Sequence, residues 1–185
     1  MVIDVKKAVG KMDQPLYNFF TEQPGFTDIK IFVDGKSFYV NKGYLMACSG
    51  YFKSMFTGEY KERSTNLVNI KEVKACHFEE MLQAIYPCRK SVTKYNVKYL
   101  MKLADRFDIP VLARRCEKFL IQSNDMPPVA KLKLADEYGF DTVLSKCLTE
   151  FKTASEMKKA LSTPEYEELS KETITSILER IIDLI

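Results

Sequence analysis

The sequence predicts an α+β fold, in which a small β-sheet is capped by a helical cluster and followed by a short all-α extension. Three observations carry this. Alternating apolar residues flank Asp34-Gly35, a tight-turn dipeptide whose two residues both tolerate positive φ. From Phe78 onward the apolar period changes to i, i+3, i+4, i+7, the mark of one buried helical face. Tandem prolines, Pro127-Pro128, then stop one helix and open another.

Leu16, Tyr17, Phe19 and Phe20 cluster after Pro15, with Leu16, Phe19 and Phe20 on one face of a short helix closed by Pro24-Gly25. So short a helix needs a surface to pack on, in its own domain or in a partner. Ile29, Ile31 and Val33 form the first strand of a hairpin, and Phe38 and Val40 the second. Asn41 is placed to cap a helix with Tyr44, Leu45 and Cys48 inward. Ser49-Gly50 breaks it, and a second helix covers roughly 51–57 with Tyr51, Phe52, Met55 and Phe56. The charged segment Glu59-Tyr60-Lys61-Glu62-Arg63 holds an aromatic that no core requires, either a contact for a partner or a lone exposed ring of no consequence. Leu67-Val68-Asn69-Ile70 alternates as a strand.

Three helices follow. Their inward sets are Phe78, Met81, Leu82 and Ile85, ended by Pro87; Val97, Leu100, Met101 and Ala104; and, after Pro110 at a first turn, Leu112, Cys116, Phe119 and Leu120. Beyond Pro128, Val129, Leu132 and Ala135 start a helix that Gly139 stops. Val143, Leu144, Cys147, Leu148 and Phe151 line the next. Thr153-Ala154-Ser155-Glu156 is a capping box ahead of Met157 and Leu161. Ile174, Ile177, Leu178, Ile181, Ile182 and Ile185 form a stripe that either packs on the preceding helices or meets a second partner.

Composition bounds the function. With 28 basic and 25 acidic residues well mixed along the chain, no nucleic-acid or membrane-surface partner is indicated. No apolar run is long enough for a membrane span, and no secretory signal is expected at the N-terminus, so the reading is intracellular, cytoplasmic or nuclear. The five scattered cysteines are expected to be small buried hydrophobes of a reducing compartment.

Little looks catalytic. His77 is the only histidine, and consecutive residues on a helix diverge by about 100°, poor geometry for a Cys76–His77 dyad. Glu79-Glu80 and Glu167-Glu168 are expected on solvated faces rather than as acid–base pairs. Arg114-Arg115 and Lys158-Lys159 lack a stacking platform for nucleic acid. No enzyme, metal or cofactor is expected, which leaves a binding or assembly module.

Phe26-Thr27-Asp28, Gly35-Lys36-Ser37-Phe38-Tyr39-Val40-Asn41-Lys42 and Leu45 through Phe56, with Leu103 through Leu112, Cys116 and Phe119-Leu120, resemble a BTB (POZ) domain in order and spacing over about 26–122. The tail, through Lys131-Leu132, Lys146-Cys147-Leu148 and Thr153-Ala154, resembles the extension of nematode MATH-BTB-type proteins, in the place of the three-box or BACK helices of cullin adaptors. No MATH domain is recognised within these 185 residues. The domain plan is an N-terminal segment with a dimerisation helix over 1–25, a BTB domain over 26–123 and a helical extension over 124–185.

The resemblance implies a homodimer built partly by Leu16, Tyr17 and Phe20, with Asp28 and Lys42 matching a charged pair near the interface. Where the family usually has a His beside that basic residue, this chain has Asn41. Asp28 on its own is equally a turn or cap carboxylate. The resemblance also implies recruitment of cullin-3, as substrate adaptor of a ubiquitin ligase, through a hydrophobic-x-Glu signature that Tyr60-Lys61-Glu62 fits in place. Phe56 supports that triplet from beneath or is plain core, and the helices after Pro128 widen the cullin groove. The protein substrate is unknown. The rivals are an oligomerisation module without cullin binding and, last, an enzyme built on Cys76 and His77.

Overall fold

The computed structural model describes residues 17–58, 66–160, 162, 166 and 169–184. The hairpin forms as expected. β1 (Ile29–Val33) and β2 (Lys36–Val40) pair antiparallel from Ile29↔Val40 to Val33↔Lys36, and Asp34 and Gly35 turn the chain at φ 46° and 76°. β3 (Leu67–Ile70) joins β1 in parallel, giving the order β2-β1-β3. Period-2 alternation buries Ile29, Ile31, Val33, Phe38, Val40, Val68 and Ile70 on one face and leaves Phe32 and Leu67 on the other.

Between β2 and β3 stand α1 (Lys42–Cys48) and α2 (Gly50–Thr57). Asn41 Oδ1 accepts the Tyr44 N–H at 2.8 Å, the expected cap. Ser49 separates the helices in extended backbone, caps α2 by accepting the Phe52 N–H at 3.1 Å, and donates its hydroxyl to the Phe107 carbonyl at 2.5 Å. The Gly50 N–H donates to the Asp108 carbonyl at 2.9 Å. The α1–α2 corner is thereby tied to a turn more than fifty residues away.

α3 (Ala75–Ile85), α4 (Val97–Arg106) and α5 (Pro110–Gln122) bury the predicted faces, save that Phe119 is only partly covered. Phe38 meets Phe78 edge-on at 5.2 Å, Phe78 meets Phe107 at 6.1 Å, and Phe107 stacks on Phe52 at 5.4 Å, so one aromatic chain runs from sheet to helices. Asp34, from the hairpin turn, accepts the Ala75 N–H at 3.2 Å and supplies the cap α3 lacks in its own sequence.

The extension comprises α6 (Pro128–Tyr138), α7 (Asp141–Glu150), α8 (Ala154–Ala160) and α9 (Lys171–Asp183). Pro128 sits in the first turn of α6, and Gly139 ends it in the left-handed region at φ 68°. Lys131, 1% exposed, reaches both carboxylate oxygens of Glu150 at 3.1 Å and joins α6 to α7. Asp136 takes the Ser170 N–H at 2.7 Å and the Ser170 and Thr173 hydroxyls at 2.5 and 2.6 Å, anchoring the start of α9. These donors hold its carboxyl below the usual carboxylate range against the upward push of burial.

Several expectations are corrected. Residues 17–24 run as turns rather than a helix. Asn18 Oδ1 takes the Phe20 N–H at 3.0 Å, a local bond that competes with helix formation. The Tyr39 N–H donates to the Phe19 carbonyl at 2.7 Å, drawing the segment against β2. Of the cysteines, only Cys116 and Cys147 are buried, and Cys76 is exposed. Glu80 is no solvated bystander: Lys90 pairs with it at 3.0 Å and Asn96 donates to it at 3.2 Å. The 153–156 capping box closes with Thr153 Oγ1 accepting the Glu156 N–H, but the Glu156 carboxylate reaches the N–H of Lys152, one residue upstream. The isoleucine stripe splits, Ile177 and Ile181 inward, Leu178 and Ile182 outward. Glu167, Glu168 and Ile185 lie outside the described residues.

Candidate functional site

No cluster of acid–base or nucleophilic groups marks a reaction centre among the described residues. Cys76 and His77 occupy the first turn of α3 and diverge, the thiol exposed and the imidazole stacked on Tyr99 with ring centroids 3.9 Å apart. Burial, and then the nearby Lys74 charge, holds His77 below its ordinary value. Cys116 and Cys147 thiols are pushed up by burial, to about 12 and about 11, the opposite of nucleophile activation. No group of three or more metal-ligating side chains forms among the described residues, and no helix of theirs is long and apolar enough to cross a membrane.

Two surfaces stand out instead. The first gathers the N-terminal aromatics. Tyr17 is held on both backbone groups by one amide: its N–H donates to Gln83 Oε1 at 3.1 Å and its carbonyl accepts from Gln83 Nε2 at 2.6 Å. Its ring packs among Phe19, Phe26 and Tyr86, all within 5.5 Å by centroid. Tyr86 is buried, its hydroxyl accepts the Asn41 N–H at 3.1 Å, and its ring touches Tyr44 at 4.5 Å. Phe20 differs. It is 44% exposed, covers Phe38 at 5.3 Å and carries the Lys36 ammonium over its ring at 5.6 Å. The predicted dimer residues are thus divided, Tyr17 half-buried in its own core and Phe20 outward. Leu16 lies outside the described residues.

The second surface surrounds Lys42. Its backbone N–H donates to Asp28 Oδ1 at 2.6 Å, so Asp28 serves as a cap carboxylate for α1. The ammonium turns elsewhere, to Asn66 Oδ1 at 3.2 Å and over the Phe56 ring at 5.8 Å. Phe56 is 7% exposed in the last turn of α2 and stacks on Phe52 at 5.8 Å. Lys42 therefore connects the residue two before Gly58 with the residue just before β3. Tyr60 and Glu62 lie between those points in the chain and outside the described residues. Asp28, Lys42 and Phe56, predicted for two different surfaces, come together here. No spacing rule joins positions 42, 56 and 66, because only the chain reversal brings them close.

The BTB/POZ domain family profile matches residues 17–124. The chain is 33% identical over 181 residues to BTB and MATH domain-containing protein 38 of Caenorhabditis elegans, an alignment taking in 98% of this chain and 47% of that one. It is 28% identical over 183 residues to BTB and MATH domain-containing protein 36 of the same organism, covering 99% and 57%. Against Kelch-like protein 24 of Homo sapiens it is 35% identical over 133 residues, 71% of this chain and 22% of that one. The chain spans about half the length of the BTB-and-MATH relatives it matches.

Proposed function

The chain belongs to the BTB/POZ domain family, and on that premise we propose that it is a homodimeric adaptor that brings cullin-3 and a protein substrate together in a ubiquitin ligase. It performs no chemistry of its own; it raises the effective concentration of substrate at the ligase. The observation that carries this reading is the setting of Tyr60-Lys61-Glu62. The triplet follows a helix whose final turn is fixed by buried Phe56, and Lys42 braces both flanks of the segment. An apolar side chain such as Tyr60 is suited to serve as a hot spot, and a carboxylate such as Glu62 to orient a partner's polar groups. Phe56, buried in the last turn of α2, would support the triplet from within the core, and the extension helices would widen the groove that cullin-3 enters.

Calorimetric titration of the purified chain with the N-terminal region of cullin-3 tests this. Tyr60→Ala and Glu62→Lys are each expected to weaken binding by about 30-fold or more, the size of a hot-spot loss of about 2 kcal/mol. Undiminished binding by both variants, or no binding by the unaltered chain, would overturn the assignment and favour an oligomerisation module.

A further inference from the structure

A cleft of about 890 Å³ opens between the β3–α3 connection, the outer face of α4 and the end of α6. Val73 and Leu103, both buried, give it an apolar floor. His77 and Tyr99, stacked with centroids 3.9 Å apart, supply an aromatic wall, and Tyr95, 81% exposed, borders it. Exposed charges of both signs line it: Lys74, Lys98 and Lys102, and Glu72, Asp105 and Glu137. None of these six makes an ion pair among the described residues.

The charges are sorted along α4. Lys98 and Lys102 lie one turn apart in its first two turns, on either side of the Tyr99 that His77 covers. Lys74 is close enough to His77 for its charge to act on the imidazole. Asp105 lies in the last turn, where Arg106 donates to the carbonyls of Lys71 at 2.7 Å and Glu72 at 3.2 Å. Arg106 thereby draws Glu72, at φ 59°, to this end and fixes the loop that forms one wall. Tyr138, next to Glu137, shares a recess with Asp105, which places the third carboxylate here too. The cleft has a cationic end and an acidic end, about 10 Å apart along the helix from Lys98 to Asp105, a span of about three extended residues. Helices and a pinned loop make it preformed, which lowers the ordering cost of a ligand.

We propose that this cleft docks a bipolar peptide segment of a partner protein, with carboxylates over Lys98 and Lys102, cationic side chains at Asp105 and Glu137, and an apolar residue between them on Val73 and Leu103. The volume lies at the upper end of ligand clefts, roughly 300–1,000 Å³, and suits a short peptide. The three carboxylates repel a nucleic-acid backbone, and the three lysines repel a purely basic segment. A second copy of this face carries matching charges, but a twofold axis sets recess against recess and leaves both unfilled. The sorted charges fix the direction of the bound segment, while the floor supplies the apolar contact. Tyr60 and Glu62 take no part, so this proposal does not depend on cullin-3.

The test is fluorescence anisotropy of the full chain with four labelled peptides. Two carry a Glu-Glu block and a Lys-Lys block separated by Leu-Phe-Gly, one in each block order; the third carries Glu in both blocks and the fourth Lys in both. Saturable binding of one bipolar peptide is expected, weakened at least 10-fold by Lys98→Glu with Lys102→Glu and by raising salt from 50 to 300 mM. The double variant is expected to gain binding of the all-Lys peptide, which a distorted cleft would not do. Glu137→Lys probes the other end and is expected to weaken the bipolar peptide as well. Circular dichroism verifies that the variants are folded, and the double variant is expected to retain cullin-3 titration, whereas Tyr60→Ala retains peptide binding. Failure of both bipolar peptides to bind overturns the proposal, as does indifference to the variants at the two ends. Equal binding of the all-Glu peptide overturns it in favour of a general anion surface. Loss of cullin-3 titration by the double variant overturns it in favour of cullin-3 in the cleft, and a fall in its mass by light scattering overturns it in favour of a second copy.

Discussion

At the scale of single residues, the corner at Ser49-Gly50 shows how little room the fold leaves. A Cβ on Gly50 would stand 1.8 Å from Asp108 Oδ2 and 2.9 Å from its Cγ. Asp108 is at φ 46°, and its carbonyl already receives the Gly50 N–H. Gly50→Ala is therefore expected to cost about 1–2 kcal/mol by driving the carboxylate aside. In an Asp108→Ala background the same change is expected to be neutral or stabilising, because Ala suits a first helical turn better than Gly. Urea denaturation of the four proteins measures the coupling, and equal costs in both backgrounds would refute the clash. The sequence shows Ser49-Gly50 as a helix break, and Asn41 as a cap, because both are local chemistry. It is silent on Ser49 reaching Phe107 or Asp34 capping α3, since those partners lie 58 and 41 positions away.

At the scale of elements, α6 carries two polar ties that its apolar period conceals. Lys131 falls on the buried face beside Leu132 and Ala135, and its charge is neutralised by Glu150. The partners are unequally covered, 1% exposed against 27%. Glu150→Ala strands an ammonium in the interior and is expected to destabilise by about 3 kcal/mol. Lys131→Met leaves a carboxylate that water still reaches, and is expected to cost much less. Thermal melts of both variants check the asymmetry; equal losses would show that the pair behaves as a surface bridge. Helices were legible wherever one face is purely apolar, as in α3 and α4. The 17–24 segment has a helical apolar period yet forms turns, because Gln83 and Tyr39, which claim its backbone groups, are far off in sequence. The α9 stripe was half legible: period alone cannot say that its outer edge, with Ile182 71% exposed, stays uncovered.

At the scale of the whole molecule, the chain is a protein-interaction module of the BTB/POZ family with helices docked behind it. Lys146 donates to the Ile121 carbonyl, and Tyr138 and Phe140 line a recess with Met101 and Ile109, so α6 and α7 rest on the α4–α5 pair. For the proposed homodimer, Phe20 is the cleaner probe, since Tyr17→Asp would damage a packed cluster. Phe20→Asp is expected to halve the mass found by light scattering while leaving the circular dichroism spectrum unchanged. An unaltered dimer mass would move the interface elsewhere. The family and the order of its elements were legible from motifs, whereas the division between Tyr17 and Phe20 needed three dimensions.

The parallel pairing of β3 with β1 has a consequence for how such a protein changes over time. β1 and β2 meet across a two-residue turn, but Lys30 meets Leu67 only after the chain has passed through α1, α2 and residues 59–65. The hairpin can form early, and β3 must be recruited by closing a long loop. Closure entropy grows slowly with length, about 0.6 kcal/mol per doubling, so residues gained or lost between Gly58 and Asn66 disturb the sheet little. Lys42 brackets both ends of that interval while the core holds the strands. Residues within that interval are therefore expected to accept substitution, insertion or deletion without the scaffold being redesigned.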